Sequence, residues 1–337
     1  MKHLFYIHSH ITEAMAEATS KHLGLSSGDI AILCGRNYLT KANWSGSVFL
    51  VDRDFPPVFS RLNLAKSFRL IREFDDWFAS ICTEEFTFYT PHLGLRVFSL
   101  IANHPYCSSY SYIEEGLASY SLPLEPSNLR PWSVDYFWPW NRIRQRQFFE
   151  ANYKNIFAAN PKAFGDAKNK VVLSPRFRSN SYLFSSNDAL SEGVVFILQP
   201  INVKRALEGC AYYQVLRDEL EFFAETNKKI YFKLHPAQAI SDEAAFVRTM
   251  MLKYSAVEIP QDICLETLSS DFKTCVLVTK NSSSVLYVDN CKDNVRLLSR
   301  KLIEYLPGME AEFTSELEFI ESIVRGDANS SVVVGAN

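Results

Sequence analysis

The chemically most distinctive segment of the chain is Lys233-Leu234-His235-Pro236, which ends a short apolar run. A lysine and a histidine two residues apart project to the same side of an extended chain, where they can present two hydrogen-bond donors to one anion. A proline after the histidine ends the strand. An isolated histidine in this position is more often satisfied by a backbone carbonyl, so the segment alone leaves both interpretations open.

A second segment, Lys280-Asn281-Ser282-Ser283-Ser284, directly follows the apolar run 275–279 and precedes another apolar stretch. Serine at a helix start caps the helix, and the free backbone N–H groups there attract phosphate. A plain N-cap explains the serines equally well when they are taken alone. Both segments lie at predicted strand ends in the same half of the chain, which favours an anion-binding site.

Two adjacent carboxylates, Glu114 and Glu115, precede Gly116 in an aromatic and serine-rich part of the first half. Neighbouring acids with apolar flanks can raise the pKa of one of them toward the range of a general base. Adjacent residues of an extended chain point to opposite sides, so only one can face a substrate unless the chain turns at Gly116. Surface pairs of this kind are common, so the motif is weak in isolation.

Further candidates for binding a substrate are His8 and His10 after the first apolar run, and His92 after Thr90-Pro91. A lone histidine is more commonly structural or merely exposed. Segment 130–149 combines tryptophans with several arginines, Arg142 among them. It predicts contact with a membrane face or with an anionic lipid-linked saccharide, and equally the aromatic core of the first domain with a solvated arginine edge.

The elements that must position these residues alternate between strand and helix, which predicts parallel sheets covered on both faces. The predicted strands are 4–7, 29–34, 47–51, 86–89, 194–198, 229–234 and 275–279, and the predicted helices are 12–23, 62–81 and 203–226.

The length of 337 residues exceeds the size at which one core stops growing, so we predict two domains. They are residues 1–173 and residues 193–337, joined by a serine- and asparagine-rich linker at 174–192. An α/β pair of this kind places its ligand in the cleft between the domains, at the carboxyl ends of the strands.

The composition excludes several classes of protein. A net charge of −3 offers no global field for gripping nucleic acid, so no nucleic-acid partner is expected. The seven cysteines are scattered and form no C-x-x-C pair. This pattern argues against a disulfide framework and against a zinc site. No apolar run reaches the length of about eighteen residues that spans a membrane. These features favour a cytoplasmic protein.

In order, acid-acid-Gly, Lys-x-His-Pro and Ser-Ser before an apolar segment resemble the motif series of bacterial GT-B sialyltransferases, including lipooligosaccharide sialyltransferases and capsular polysialyltransferases. The resemblance implies two Rossmann-type domains whose parallel sheets face each other across a cleft. Residues 1–173 would bind the acceptor and residues 193–337 the CMP-sugar. Glu266 matches the position where these enzymes place a carboxylate on the CMP ribose, although an exposed glutamate at a helix start is an equally good interpretation.

The resemblance further implies an inverting transfer of sialic acid from CMP-sialic acid to a saccharide or glycolipid acceptor. Glu115, with Glu114 as the fallback, takes the proton of the acceptor hydroxyl, and His235 meets the departing phosphate as hydrogen-bond donor and acid. No metal or other cofactor is required, because the donor carries a single phosphate. The implied donor-binding residues are Lys233, Pro236, Glu266, Ser282, Ser283 and Ser284.

Three other interpretations stay open at this point. A CMP-Kdo transferase of capsule assembly uses a similar arrangement of motifs. A saccharide-binding module could keep the fold without catalysis, although such a module should have lost a motif and none is missing. An α/β protein could also use the same cleft for an unrelated ligand. A cytoplasmic transferase could in addition contact the inner face of the membrane through 130–149.

Overall fold

The chain forms two compact units in a computed structural model, Met1–Arg178 and Ser179–Asn337, and the division lies inside the segment 174–192. Most of the predicted linker and most of segment 130–149 lie outside the described residues. The structure describes residues 1–36, 38–44, 46–51, 64–125, 142, 146–177, 192–199, 206–239, 241–267, 275–287 and 294–325.

The first unit is built on a seven-stranded sheet in which every strand pair is parallel. Its strands are β1 (Lys2–Ile7), β2 (Ile30–Cys34), β3 (Ser47–Leu50), β4 (Phe86–Thr90), β5 (Cys107–Ile113), β6 (Ile156–Ala158) and β7 (Lys170–Val172). Its helices are α1 (His10–His22), α2 (Leu64–Ala79), α3 (Arg96–Ala102) and α4 (Ala118–Ser121). The strand order is β3-β2-β1-β4-β5-β6-β7.

The second unit repeats this plan with a five-stranded parallel sheet. Its strands are β8 (Val194–Ile197), β9 (Ile230–Lys233), β10 (Val257–Glu258), β11 (Val276–Thr279) and β12 (Val295–Leu297). Its helices are α5 (Ala206–Ala224), α6 (Pro236–Ala239), α7 (Glu243–Leu252), α8 (Ser299–Tyr305) and α9 (Glu310–Arg325). The strand order is β10-β9-β8-β11-β12.

Both sheets follow the Rossmann order, in which the chain first winds outward on one side of the opening strand and then crosses to the other side. The prediction of two Rossmann-type domains is therefore confirmed. The order reverses between β1 and β4 in the first sheet and between β8 and β11 in the second. Ligands of such sheets bind in the crevice outside the carboxyl ends of these strands. The first sheet therefore has a candidate site beyond β1 and β4, and the second sheet has one beyond β8 and β11.

Burial explains why the predicted strands form. β2 and β4 are buried along their whole length, and residues 4–7 of β1 are buried too, as expected for strands covered on both faces. The start of α1 is set by Ser9, whose side chain accepts a hydrogen bond from the Thr12 N–H in a capping box. The chain therefore leaves β1 and turns into a helix within two residues, which places His8 at the carboxyl edge of the sheet.

None of the helices in the described part of the chain is long and apolar enough to cross a membrane.

Candidate functional site

The carboxyl ends of four adjacent strands of the first sheet bring together four polar side chains. His8 follows β1, Arg36 follows β2, His92 follows β4, and Glu115 follows β5. Because β1 and β4 are the strands between which the order reverses, this group lies at the ligand-binding position of a Rossmann sheet. We call these four residues the first-unit cluster.

Glu115 is the acid of the cluster. Only 10% of its side chain is exposed, and its Oε2 lies 3.6 Å from Nε2 of His8. Burial raises the pKa of Glu115 to about 7, although the positive charge of Arg36 acts in the opposite direction. A carboxyl group with a pKa near neutrality suits the removal of a proton from a hydroxyl.

Glu114, the fallback base of the sequence analysis, has a different environment. Its side chain is fully buried, and its Oε2 accepts hydrogen bonds from the N–H groups of Ala159 at 2.6 Å and Asn160 at 3.2 Å. Its Oε1 accepts a hydrogen bond from the Tyr120 hydroxyl at 2.5 Å. The carboxylate thus ties the end of β5 to the segment after β6, which does not fit the role of a base.

Replacing Glu114 by alanine should destabilise the first unit by about 3 kcal/mol, because three half-buried donors lose their acceptor. Urea unfolding, followed by amide exchange in β5 and β6, measures this change. Glu85→Ala is the matched control: its side chain is exposed, and we expect its effect to stay within about 0.5 kcal/mol. Equal stabilities for the two variants would contradict the structural role of Glu114.

The two histidines of the cluster are neutral at physiological pH. Burial lowers the pKa of His8 and of His92 to about 3, and the charge of Arg36 acts in the same direction. Nδ1 of His92 accepts a hydrogen bond from the Gly94 N–H at 3.1 Å, and its ring stacks on Phe148 with 4.1 Å between centroids. Nδ1 of His8 is buried without a hydrogen-bond partner among the described residues.

The stability of the first unit should fall as the pH drops below about 6.5, the ordinary histidine value. Burial lowers the pKa of His104 to about 4, and with His8 and His92 at about 3 all three bind protons more readily in the unfolded chain. Glu115 opposes them, since its pKa of about 7 favours the folded state as the pH falls from 7 toward 4.5, and burial raises the pKa of Asp75 in the same sense. Burial also lowers the pKa of His3, so four histidines stand against two acids.

Urea unfolding of the first unit as a function of pH measures this dependence. His104→Phe should show a shallower slope between pH 4 and 6.5, because one of the four histidines no longer titrates. An unchanged slope in this variant would contradict the assignment, whatever its absolute stability.

The structure gives His10 and Arg142, both predicted to bind the acceptor, structural contacts instead. Nδ1 of His10 lies 3.0 Å from the Tyr38 hydroxyl, which itself donates a hydrogen bond to Glu13. Arg142 is 1% exposed, forms an ion pair with Asp75, and donates from Nη1 to the Leu100 carbonyl at 2.9 Å. Its guanidinium is enclosed in the interior, which disfavours contact with an acceptor, and the role of Arg142 stays a prediction.

In the second unit, β9 ends at Lys233, and His235 lies two residues beyond the end of this strand. Lys233 is 9% exposed and donates from Nζ to the Pro260 carbonyl at 2.7 Å, and burial lowers its pKa to about 8. Lys233 thus contacts the segment after β10, which carries Glu266, and a pair of donors on one anion stays a prediction.

His235 itself stands at the start of α6, and its carbonyl accepts from the N–H groups of Gln238 and Ala239, both at 2.9 Å. Pro236 is the first residue of that helix, a position where its missing N–H costs nothing. Gln238, which the sequence analysis missed, is buried and donates to the Gln199 carbonyl just after β8 at 3.3 Å. The His-Pro turn is thus fastened to the end of the central strand.

The serine segment follows β11, next to the point where the second sheet reverses. Ser282 is buried, and its side chain accepts a hydrogen bond from the Ser284 N–H, which caps a single 3-10 turn at Ser283–Leu286. The sequence analysis expected the start of a helix here, and the described residues form a 3-10 turn. One 3-10 turn sums few peptide dipoles, so a phosphate would be held by local N–H groups and hydroxyls rather than by a helix dipole.

Glu266 lies in the segment that follows β10, and its Oε2 accepts a hydrogen bond from the Cys264 thiol at 2.9 Å. Within the described ranges, no group of three or more His, Cys, Asp or Glu side chains is placed to hold a metal ion. The independence from metal stays a prediction.

Arg36 is the residue of the first-unit cluster that the sequence analysis missed. The available signal was its position, directly after an apolar strand and a glycine, at Gly35-Arg36. That signal becomes informative only when the strand order shows β2 to be the neighbour of β1.

No family model and no curated protein match this chain. Several solved structures are similar to this chain in fold. UDP-GlcNAc 2-epimerase from Methanocaldococcus jannaschii, in complex with UDP-GlcNAc and UDP, has a TM-score of 0.51 at 11% identity, over 100% of this chain and 96% of that one. S. aureus MnaA with UDP has a TM-score of 0.48 at 11% identity, over 100% of this chain and 93% of that one.

Spinosyn rhamnosyltransferase SpnG with thymidine diphosphate has a TM-score of 0.46 at 11% identity, over 97% of this chain and 92% of that one. At such identities the likeness concerns the fold. Together with the two Rossmann sheets, the similarity to the archaeal epimerase establishes that this chain has the GT-B fold.

Proposed function

We propose that this protein is an inverting glycosyltransferase that moves sialic acid from CMP-sialic acid to a saccharide acceptor. The observation that carries the proposal is Glu115, a buried carboxyl group with a pKa of about 7 at the strand ends of the first sheet. The ordered motifs at 114–116, 233–236 and 282–284 support the sugar donor. The archaeal epimerase, with its bound UDP-GlcNAc, supports a nucleotide-sugar substrate more generally.

The first unit supplies the base in this proposal. Glu115 takes the proton of the acceptor hydroxyl while the hydroxyl oxygen attacks the anomeric carbon of sialic acid, and the bond to the CMP phosphate breaks as the new bond forms. A single displacement inverts the anomeric centre. His8 Nε2, 3.6 Å from Glu115 Oε2, can stabilise the carboxylate in its basic form.

The second unit supplies the acid and the donor site. His235 donates to the departing phosphate, and the polar groups of Ser282, Ser283 and Ser284 bind the same phosphate. Lys233 is a positioning residue. Its hydrogen bond to the Pro260 carbonyl orients the segment that carries Glu266, and Glu266 binds the ribose hydroxyls. The buried contacts of Gln238 and Lys233 support a preorganised donor site.

Ligand binding tests the donor. CMP at about a hundred times its dissociation constant should add about 2.7 kcal/mol to the stability of the second unit if it binds only the folded state. UDP and GDP should raise the melting temperature much less. A larger shift with UDP than with CMP would contradict the choice of donor and would leave a UDP-sugar enzyme as the better proposal.

Hydrolysis of the donor separates the remaining alternatives. CMP-sialic acid should be cleaved faster than CMP-Kdo, measured by release of CMP without acceptor. Preference for CMP-Kdo would assign the protein to the capsule-assembly alternative. Binding of CMP-sugars without cleavage, with every acceptor tested, would indicate a non-catalytic module.

A further inference from the structure

We propose that the first-unit cluster selects an acidic saccharide: Arg36 binds a carboxylate or phosphate of the acceptor, and His8 binds a hydroxyl of the same sugar. The inference deepens the proposed function and rests on it, in that it takes this cluster as the acceptor site. It concerns the chemical class of the acceptor, which the motifs leave open.

Arg36 has an unusual backbone conformation. Its φ of 54° lies in the left-handed region, where a residue with a side chain is strained. Two backbone hydrogen bonds flank it, from the Gly35 N–H to the Ile7 carbonyl at 2.9 Å and from the Tyr38 N–H to the Gly35 carbonyl at 3.0 Å. A side chain at Gly35 would overlap the Tyr6 ring, so the turn lies tightly against β1.

The segment that follows Arg36 is anchored to α1 by hydrogen bonds. Glu13, buried on α1, accepts hydrogen bonds from the Tyr38 hydroxyl at 2.8 Å, the Lys41 N–H at 2.9 Å and the Ala42 N–H at 3.0 Å. The Trp44 indole N–H adds a fourth donor at 3.2 Å. Four donors to one buried carboxylate anchor the segment that follows Arg36 to α1 before any ligand arrives.

The positive charge of Arg36 gives the first-unit cluster a preference for anions. Arg36 is exposed, and no carboxylate of the described residues lies within ion-pair distance of its guanidinium. Its charge acts on His8, His92 and Glu115. Since both imidazoles are neutral at pH 7 and Glu115 is about half protonated there, the cluster keeps a positive potential that favours an anion.

His8 Nδ1 is the second atom of the cluster that can bind a ligand. The side chain of His8 is 5% exposed, and its Nδ1 has no hydrogen-bond partner in the part of the chain that the structure describes. A neutral imidazole nitrogen is either a donor or an acceptor, depending on the tautomer. A sugar hydroxyl satisfies both, because it can accept and donate, so a polyhydroxylated ligand fits this atom in either form.

The two recognition elements together define an acidic sugar. A neutral sugar would gain nothing from the positive charge of Arg36, and a simple anion would leave His8 Nδ1 without a hydrogen-bond partner among the described residues.

The test measures binding of three disaccharides to the full chain by calorimetry at constant ionic strength. They are a neutral digalactose, digalacturonic acid, which carries carboxylates on the same skeleton, and digalactose phosphate. We expect the acidic ligands to bind about ten- to a hundred-fold more tightly than the neutral one, the usual worth of a charge-assisted hydrogen bond. The better of the two acidic ligands identifies the anion.

Arg36→Gln should remove this preference and leave binding of the neutral digalactose nearly unchanged. Arg72→Gln, an exposed arginine on α2, is the control that should keep the preference. His8→Gln should weaken all three ligands alike, because it acts on the hydroxyl. Equal affinities for all three ligands in the wild type, no measurable binding of any, or a preference that survives Arg36→Gln would overturn the inference.

Cleavage of CMP-sialic acid by the same samples keeps the two proposals apart. Charge-selective binding without cleavage would defeat the proposed transferase and leave the inference standing. Cleavage and transfer without charge-selective binding would overturn the inference about the acidic acceptor and leave the proposed transferase standing.

Discussion

Glu115→Gln should depress transfer to the acceptor by about two to four powers of ten while leaving the affinity for CMP nearly unchanged. The amide keeps the shape of the side chain and removes its basicity, and Glu115 belongs to the unit that does not carry the predicted donor motifs. Rates of sialic acid transfer, with CMP affinity measured on the same protein, provide the comparison.

Glu114→Gln is the matched control for this experiment. The carboxylate of Glu114 is occupied by Ala159, Asn160 and Tyr120, so its replacement should reduce the stability of the first unit and slow transfer much less. Rates in the opposite order would move the base to Glu114 and preserve the reaction class. If neither variant slows transfer, the acid-acid-Gly motif is accidental.

The pH dependence of the reaction provides an independent check of the same residue. Because the pKa of Glu115 is about 7, the fraction of enzyme with a competent base should rise as the pH passes through 7 from below. The wild-type kcat/KM should therefore show an acidic limb near pH 7, and the residual rate of Glu115→Gln should lack it.

His235→Ala should lower turnover by about a hundred-fold or more, the usual worth of a positioned general acid. The residue stands at the start of α6, where backbone hydrogen bonds from Gln238 and Ala239 fix its carbonyl. Alanine keeps these backbone bonds, so the variant should fold. Single-turnover cleavage of CMP-sialic acid measures the loss without interference from product release.

His22→Ala, an exposed histidine at the end of α1, is the control and should retain full activity. Full activity in His235→Ala would remove this residue from the mechanism.

Most of the fold could be predicted from the sequence because buried parallel strands are continuous apolar runs. The predicted strands at 29–34, 86–89 and 194–198 agree with β2, β4 and β8 to within one residue at each end. Strand β5 was missed, because its sequence Cys-Ser-Ser-Tyr-Ser-Tyr-Ile is polar at several positions and is typical of a loop. Its pairing with β4 makes it a strand, and that pairing is not local information.

The sequence by itself determined the alternation of strands and helices, the two-unit plan and the positions of the chemistry-bearing residues at strand ends. These follow from local patterns of burial and chain-breaking residues. Only the tertiary structure decided which of those residues share a site. Strand order brings Arg36 beside His8, although 28 positions separate them, just as Tyr38 reaches His10 across the same separation.

The tertiary structure also decided which charged groups are structural. Glu114 and Glu115 are neighbours in sequence, yet one is enclosed by three donors and the other lies beside His8. Lys233 is turned to the Pro260 carbonyl and Arg142 to Asp75. The physical reason is the same in each case: a buried charge must find its partners, and those partners come from segments distant in the chain.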